Sequence, residues 1–290
     1  MANVPRGIIW LASYPKSGNT WTRNFLHNLI NLMEGVADET HDINRMNALS
    51  TWEIAAPPYE ELLGKKIKDC SRDEIAAVRH DVQQQIADSV DGLAFVKTHH
   101  AMVMDRQQPA INFNVTSGAI YVVRNPLDVA ISFSHHINAN VDEAIIQMGT
   151  EGLETPIGEH AVYEVYSSWS QHVESWTRKK HQTIYVMRYE DMLSDPEATF
   201  GALARHLLLK PSKRQLRRAI ELSSFERLKA QEDAEGFREK PEKAERFFRS
   251  GTADQWRTDL TPAQIKQIVA DHKTQMERFG YYPLPDDVNI

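Results

Sequence analysis

The segment from Ile8 to Leu26 has the sequence IIWLASYPKSGNTWTRNFL, which predicts a strand, a loop and a helix in succession. Residues 8–12 form a short apolar run that is too brief for a stable helix. Residues 14–18 contain the Pro and the Gly that interrupt regular structure. Asn19 or Thr20 is expected to cap the following helix, in which apolar side chains recur at helical spacing.

The loop between this strand and this helix is predicted to bind an anion such as phosphate. Backbone N–H groups point outward at a helix N-terminus, and Lys16 lies beside them. The general phosphate loop, G-x-x-x-x-G-K-[ST], has its Lys after the second Gly. Here Lys16 precedes Gly18, and Ser13 stands where that pattern has its first Gly. The order disfavours a standard ATP or GTP loop, and a surface turn is the alternative if the loop is considered alone.

Length and composition limit the class of protein. A chain of 290 residues can bury a substantial core, and we expect residues 1–290 to form one domain. The net charge of −7 argues against a nucleic-acid partner. Cys70 is the only cysteine, so no intramolecular disulfide is expected, which suits a reducing compartment. No segment has the roughly 20 apolar residues of a membrane span, nor a signal-peptide pattern, so we expect a cytoplasmic protein without a membrane partner.

Short apolar segments alternate with helical patterns along the chain. This alternation predicts an α/β fold with a central parallel sheet flanked by helices on both faces. The predicted strands are 8–12, 93–98, 119–123 and 183–187, and the predicted helices begin near residues 19, 71, 126, 159, 195, 212 and 261. The helix beginning at 159 is expected to run to about Lys180. Residues 34–60 are predicted to be irregular, with Pro57-Pro58 as a stop, and 138–158 to be a mobile loop.

Chemically active residues follow the carboxyl ends of these strands. Ligands bind at that edge of a parallel sheet, so we expect these residues to converge on one side. They are residues 14–20, Lys97 to His99, Arg124, and Arg188 to Asp191.

Residues 14–21, Tyr-Pro-Lys-Ser-Gly-Asn-Thr-Trp, resemble the 5′-phosphosulfate loop of the cytosolic-type sulfotransferases. These enzymes use 3′-phosphoadenosine 5′-phosphosulfate (PAPS). Further matches follow in the family's order and span residues 13–257. The resemblance implies an α/β domain of the P-loop nucleotide-kinase type, PAPS as the donor, adenosine 3′,5′-bisphosphate as the product, and no metal ion. Ser17, Gly18, Asn19 and Thr20 would donate to the 5′-phosphate.

Lys97-Thr98-His99 is similar to the family's Lys-Thr-His, whose His is the catalytic base. His99 is the candidate general base, because an imidazole titrates near neutrality and a hydroxyl acceptor loses its proton as it attacks sulfur. Lys16 would neutralise charge on the bridging oxygen, and Lys97 would stabilise the transferring group. His100, His135 and His136 are expected to be structural or exposed. Neither an H-E-x-x-H motif nor a thiolate cluster is present, so a transition-metal centre is not expected.

Residues 121–132 resemble the family's 3′-phosphate segment, with Arg124 and Ser132 as the ligands. An ion pair between Arg124 and Asp128 is the alternative. Trp21 and Phe225 match positions where the family sandwiches adenine, and ordinary core packing is the alternative for both. A family position near the adenine is matched by Tyr189, and Ser223 stands where the family usually has Thr.

Residues 247–258, FFRSGTADQWRT, match the last motif, which in the family is close to Arg-Lys-Gly-x-x-Gly-Asp-Trp-Lys. Arg249, Gly251 and Trp256 agree with it, whereas Ser250 replaces the Lys and Asp254-Gln255 replaces Gly-Asp. We expect Arg249 and the Gly251 amide to hold the 3′-phosphate, with Ser250 in the same loop and one cation fewer. Residues 229–250 are predicted to be a lid that orders on the nucleotide, with a solvated surface segment as the alternative.

The resemblance therefore implies a PAPS-dependent sulfotransferase that acts on a hydroxyl or amine of a small molecule. Apolar groups near Trp52, Tyr59, Phe133 and residues 138–158 favour an alcohol or a phenol as the acceptor. A kinase-like phosphotransferase and a nucleotide-binding protein without turnover are the alternatives. A homodimer is compatible with the resemblance, but we find no clear counterpart of the family's C-terminal dimerisation motif, so no mode of dimerisation is carried over.

Overall fold

The computed structural model describes residues 6–36, 42–240 and 246–288. The strands are β1 Gly7–Ser13, β2 Ser50–Trp52, β3 Leu93–Thr98, β4 Met104–Asp105, β5 Gln108–Pro109, β6 Thr116–Val123 and β7 Ile184–Arg188. The helices are α1 Asn19–Met33, α2 Ala56–Leu63, α3 Arg72–Asp88, α4 Pro126–Ile137, α5 Val141–Gly149, α6 Trp169–Thr177, α7 Tyr189–Ser194, α8 Pro196–His206, α9 Lys213–Leu222, α10 Phe225–Glu235, α11 Trp256–Asp259 and α12 Pro262–Arg278. Within the described ranges, none of these helices has the length and apolarity needed to cross a membrane.

β1 is the middle strand of a five-stranded sheet with the order β2-β3-β1-β6-β7. Every residue of β1 is buried, as is typical of a central parallel strand with both faces covered. β3 runs parallel to β1 and pairs Lys97 with Leu11 and Thr98 with Ala12. His99 therefore leaves the sheet at the same edge as Tyr14, which begins the predicted anion loop. The predicted α/β class, with a central parallel sheet flanked by helices, is confirmed.

The chain divides into two compact units. The first unit comprises Met1–Tyr14, Ser50–Tyr121 and Gln147–Val186, and the second comprises Pro15–Leu49, Val122–Ile146 and Met187–Ile290. In the first unit, α2 and α3 contribute to an apolar cluster that includes Tyr59, Ile75 and Val82. In the second, Ile43 and Met46 pack with Leu228, Phe237 and Phe248. The prediction that residues 1–290 act as one domain stays a prediction.

Local sequence signals locate several element boundaries correctly. Ser71 and Glu74 form both hydrogen bonds of a capping box at the start of α3. Pro126 is the first residue of α4, and the side chain of Asn125 accepts from the Leu127 amide. Thr261 caps α12 in the same way as Ser71 caps α3.

Two segments predicted to be irregular contain helices. Pro57-Pro58 lies in the first turn of α2 instead of acting as a stop, because proline also suits a helix start, where its missing N–H has no intrahelical acceptor. The segment 138–158, predicted to be a mobile loop, contains α5, with Asp142 and Glu143 in its first turn.

The predicted long helix from residue 159 to 180 is wrong over its first ten residues. Ser168 forms a capping box with Gln171, so α6 begins only at Trp169. The preceding residues instead form two antiparallel bridges, between Ala161 and Ala55 and between Val165 and Glu154. Contacts far apart in sequence override the helical spacing of the aromatic residues here.

The predicted lid, residues 229–250, includes the end of α10 and an aromatic segment. Residues 241–245 of this span lie outside the described residues. The lid therefore stays a prediction.

Candidate functional site

The loop from Pro15 to Gly18 gives α1 an unusual start. Gly18 is the N-cap residue, with φ 107° and ψ 12°, and no side chain caps this helix. The predicted cap by Asn19 or Thr20 is wrong, because both residues already belong to the helix. An N-terminus without a side-chain cap leaves its first amides for a ligand, and these amides attract anions.

Gly18 is required by its close approach to Tyr189. A Cβ atom at position 18 would lie 2.8 Å from Cδ2 of Tyr189, and the positive φ is unfavourable for other residues. The Tyr189 ring also meets Trp21 edge to face, with ring centres 5.8 Å apart. Arg124 stacks on Tyr189 at 4.3 Å. The second unit therefore brings together four residues predicted to bind the nucleotide.

Arg124 is buried, at 6% exposure, and its guanidinium joins two loops. It donates to the carbonyl of Lys16 at 3.0 Å and to that of Thr252 at 3.1 Å. Asp128, the alternative ion-pair partner, instead accepts from the amides of Asp254 at 2.8 Å and Trp256 at 3.2 Å. Burial raises the pKa of the Asp128 carboxyl, which the Arg124 charge and these amides partly offset.

Two buried polar atoms near the loop indicate whether an anion would be bound there. Neither Ser17 Oγ nor Arg124 Nε has a hydrogen-bond partner among the described residues. Buried donors are rarely left unpaired in folded proteins, and anionic oxygens would accept from both. Together with the uncapped start of α1, this makes the loop a suitable site for a phosphate or a phosphosulfate.

A small pocket in the second unit is lined by three of the predicted residues, Lys16, Ser132 and Arg249. Its remaining walls are four residues that are not among the predicted site residues, namely His135, His136, Arg246 and Phe247. Lys16 has φ 66°, and its ammonium lies 4.1 Å from the centre of the Phe247 ring. His135 and His136 follow Ser132 at i+3 and i+4 on α4, a spacing that could have indicated a shared face.

The loop from Ser250 to Asp254 packs closely on α10. Gly251 has φ 66°, and a Cβ atom there would lie 2.2 Å from Cγ of Phe225. Ser250 Oγ lies 2.7 Å from Thr252 Oγ1, and Arg249 donates to the side chain of Gln255. The backbone of residue 251 therefore lies directly on an aromatic ring.

Trp21 and Phe225, which are predicted to sandwich the adenine, pack against different aromatic rings. Trp21 meets Phe200, with ring centres 5.6 Å apart, besides Tyr189. Phe225 meets Phe248 at 6.3 Å. Ser223 is fully buried and donates to the carbonyl of Ala219 at 2.8 Å. Its hydroxyl thus hydrogen-bonds to a carbonyl in the last turn of α9. A role for Ser223 in nucleotide binding stays a prediction.

His99, in the first unit, is held by contacts that determine its tautomer. Nδ1 lies 2.7 Å from the carbonyl oxygen of Ser13, which can only accept, so Nδ1 carries the proton and Nε2 the lone pair. The His99 amide donates to Glu164 at 2.8 Å. The His99 carbonyl accepts from Nε2 of His172 at 3.1 Å. These contacts orient the ring as a general base requires.

The histidines around His99 are structural. Burial lowers the pKa of His172 to about 3, so the ring is neutral and its Nδ1 accepts from the Tyr121 hydroxyl at 2.8 Å. His100 is fully buried and accepts from the Val165 amide at 3.0 Å. Burial lowers the pKa of His100 well below its ordinary value. The structural role predicted for His100 is confirmed.

Lys97 lies over an aromatic ring, and its charge acts on the buried carboxyl of Glu164. Its ammonium is 4.2 Å from the centre of the Trp52 ring. Burial raises the pKa of Glu53 to about 8 and also raises the pKa of Glu164. Glu53 accepts from Gln83 at 2.5 Å. Neither carboxyl was predicted from the sequence, because burial is not visible in residue identity.

The predicted acceptor region stays a prediction, and its aromatic residues have different environments. Trp52 lies against Lys97, but Tyr59 and Phe133 are buried core residues, at 0% and 1% exposure. The described residues hold no cluster of three His, Cys, Asp or Glu side chains that could bind a metal ion.

A family model of the sulfotransferase domain matches residues 7–280. Luciferin sulfotransferase of Photinus pyralis is 25% identical over 271 residues, which cover 89% of this chain and 68% of that protein. Sulfotransferase 1E1 of Mus musculus is 24% identical over 273 residues, which cover 92% of this chain and 82% of that protein.

Two solved structures share the fold. A mouse sulfotransferase complexed with PAP has a TM-score of 0.61 and 19% identity, over 95% of this chain and 85% of that one. Retinol dehydratase in a complex with retinol and PAP has a TM-score of 0.63 and 20% identity, over 99% of this chain and 84% of that one.

Proposed function

The chain belongs to the sulfotransferase family, and we propose that it moves the sulfuryl group of PAPS to a hydroxyl or amine of a small-molecule acceptor. The observation that carries this proposal is the start of α1 at Gly18, which has no side-chain cap, beside Ser17 Oγ and Arg124 Nε, two buried donors without a partner among the described residues. PAP in the two solved structures supports PAPS as the donor.

The second unit would bind the donor. In this proposal the amides of residues 17–20 hold the 5′-phosphate, and Arg124, Ser132, Arg249 and the Gly251 amide hold the 3′-phosphate. Trp21, Tyr189 and Phe225 would contact the adenine. Lys16 would neutralise the charge that builds on the oxygen between phosphorus and sulfur.

The first unit would supply the base. Nε2 of His99 accepts the proton of the acceptor hydroxyl as that oxygen forms its bond to sulfur. Ser13 holds the ring in the tautomer that this step needs. Lys97 would stabilise the transferring group. PAPS would supply the sulfuryl group, and the electron pair of the broken S–O bond would remain on adenosine 3′,5′-bisphosphate.

The acceptor is proposed to be an alcohol or a phenol. Trp52 beside Lys97 offers an aromatic wall that suits a planar or apolar acceptor. A cytoplasmic location is part of the proposal, supported by the single Cys70.

Two measurements test the proposal. Calorimetry compares adenosine 3′,5′-bisphosphate with ATP and Mg²⁺, and transfer of labelled sulfate from PAPS is screened against phenols, aliphatic alcohols, amines and sugars. Binding of the bisphosphate together with a labelled product is the expected result. Binding of ATP with phosphoryl transfer would establish the kinase alternative, and bisphosphate binding without transfer to any acceptor would establish a binding protein.

A further inference from the structure

The pocket that contains Lys16, Ser132 and Arg249 also contains Arg246 and two histidines. None of the described residues that line it is acidic. Three permanent cations around a small pocket favour a phosphate group over a neutral ligand. The predicted nucleotide site accounts for only part of this lining.

Resting on the proposed function, we propose that Arg246 and His135 bind a phosphate group of the nucleotide, and that His135 does so in its protonated form. Nucleotide binding would then take up a proton at His135. Arg246 would supply the cation that is missing at position 250, where Ser250 hydrogen-bonds to Thr252.

Arg246 and Arg249 each make an interaction that is weak enough to be replaced by one with an anion. Arg246 pairs with Asp233 at 3.4 Å, and the two side chains are 50% and 46% exposed. Exposed pairs of this kind contribute little to stability. Arg249 donates to Gln255, a neutral acceptor. A phosphate dianion offers both guanidinium groups a stronger acceptor.

The backbone beside Arg246 is fixed independently of these side chains. Glu232 on α10 is 8% exposed and accepts from the amides of Phe247 at 2.7 Å and Phe248 at 2.8 Å. Phe248 is itself buried. Arg246 and Arg249 therefore flank an anchored pair of residues, which limits the distance each guanidinium must move to reach an anion.

His135 lies in the last turn of α4, where the groups that act on it are mostly positive. Lys16, Arg246, Arg249 and His136 share its pocket, and the carboxylate of Asp259 acts in the opposite direction. Burial first, and then the charges of Arg249 and Lys16, lower the pKa of His135. A bound anion offsets those charges and raises that pKa. Binding is therefore tighter below the pKa of the free imidazole and weakens as pH rises through the pKa of the bound state.

The test is calorimetry of adenosine 3′,5′-bisphosphate at pH 6 and pH 8, at constant ionic strength, in buffers of different ionisation enthalpy. The number of protons taken up is compared between the wild type and His135→Gln, so that protonation of the ligand itself cancels. His181→Gln is the matched control, because His181 is exposed and its ring meets Thr183. Thermal unfolding of each variant checks that it is folded.

We expect the wild type and His181→Gln to take up more protons than His135→Gln. Between pH 6 and pH 8, the affinity of the wild type and of His181→Gln for the bisphosphate should fall about tenfold more than that of His135→Gln. A rise of one unit in the pKa of His135 on binding implies this difference. Arg246→Gln should weaken binding about tenfold at both values and keep the proton uptake. Equal uptake with and without His135, loss of uptake in His136→Gln instead, or unchanged affinity in Arg246→Gln would overturn the inference. If the wild type does not bind the bisphosphate at all, the proposed function fails with it.

Discussion

Replacing Gly251 by Ala is expected to weaken nucleotide binding, because the new Cβ atom would lie 2.2 Å from Cγ of Phe225. Ordinary contact begins at 3.4 Å, so the loop and the ring must separate by about 1.2 Å. The φ of 66° adds a cost of about 1 to 2 kcal/mol for any residue with a Cβ atom. Crowding in a packed site adds about 1 to 3 kcal/mol if the loop does not move.

Gly64 separates these two costs. It has the same φ of 66°, and its added Cβ atom would meet no atom within 4 Å. Gly64→Ala should therefore lose about 1 to 2 kcal/mol of unfolding free energy and bind the nucleotide normally. Gly251→Ala should either lose more stability or, if its loop moves, bind adenosine 3′,5′-bisphosphate on the order of tenfold to a hundredfold more weakly.

Urea denaturation and calorimetry measure the two quantities, and a double variant tests the cause. In Phe225→Ala with Gly251→Ala the ring is absent, so the double variant should be more stable than the sum of the single effects predicts. Equal stability losses for Gly64→Ala and Gly251→Ala, with normal nucleotide binding in both, would refute the reasoning. Additive effects in the double variant would refute the assignment to Phe225.

Three further predictions concern single residues. His99→Ala should lower turnover by about 10² to 10⁴-fold while calorimetry finds nucleotide affinity intact, and retained turnover or lost binding would contradict its role as the base. Glu53→Gln should stabilise the protein by a few kcal/mol at about pH 8 and not at pH 4 in urea denaturation. Burial raises the Glu53 pKa to about 8, so the wild type is fully stable below the ordinary carboxyl pKa and loses stability as pH rises towards 8. An equal difference in unfolding free energy between variant and wild type at both pH values would contradict this prediction. Asp128→Ala should cost on the order of 2 kcal/mol and weaken nucleotide binding, because two loop amides lose their acceptor; unchanged thermal unfolding would count against this.

The parts of the fold that were predictable depend on rules within a few residues. A capping box joins Ser71 to Glu74, three residues apart, and Pro126 marks a helix start by its own ring. The incorrect predictions occur where the same residues are compatible with two different secondary structures. Pro57-Pro58 suits a helix start as well as a stop, and residues 159–168 are not helical because Ala161 bridges to Ala55, far away in sequence, and Val165 bridges to Glu154.

The site shows the same limit. Candidate residues at strand ends and helix starts were predictable from the sequence, because ligands bind at that edge of a parallel sheet. His135 was not, because only its neighbours Lys16 and Arg249, distant in sequence, distinguish it from other exposed histidines. Glu53 was missed because its unusual pKa comes from complete burial, which depends on packing across the whole unit.

The boundary between the two units falls between Tyr14 and Pro15, inside the loop predicted to bind an anion. The proposed donor-binding residues lie in the second unit, and His99 and Lys97 lie in the first, so binding and proton removal can be perturbed separately. A protein that only binds nucleotide has no use for an oriented base. His99 is nevertheless held in one tautomer by the Ser13 carbonyl, and its amide is bound by Glu164. This arrangement is what the proposed transfer requires of His99, and the turnover of His99→Ala distinguishes a transferase from a protein that only binds nucleotide.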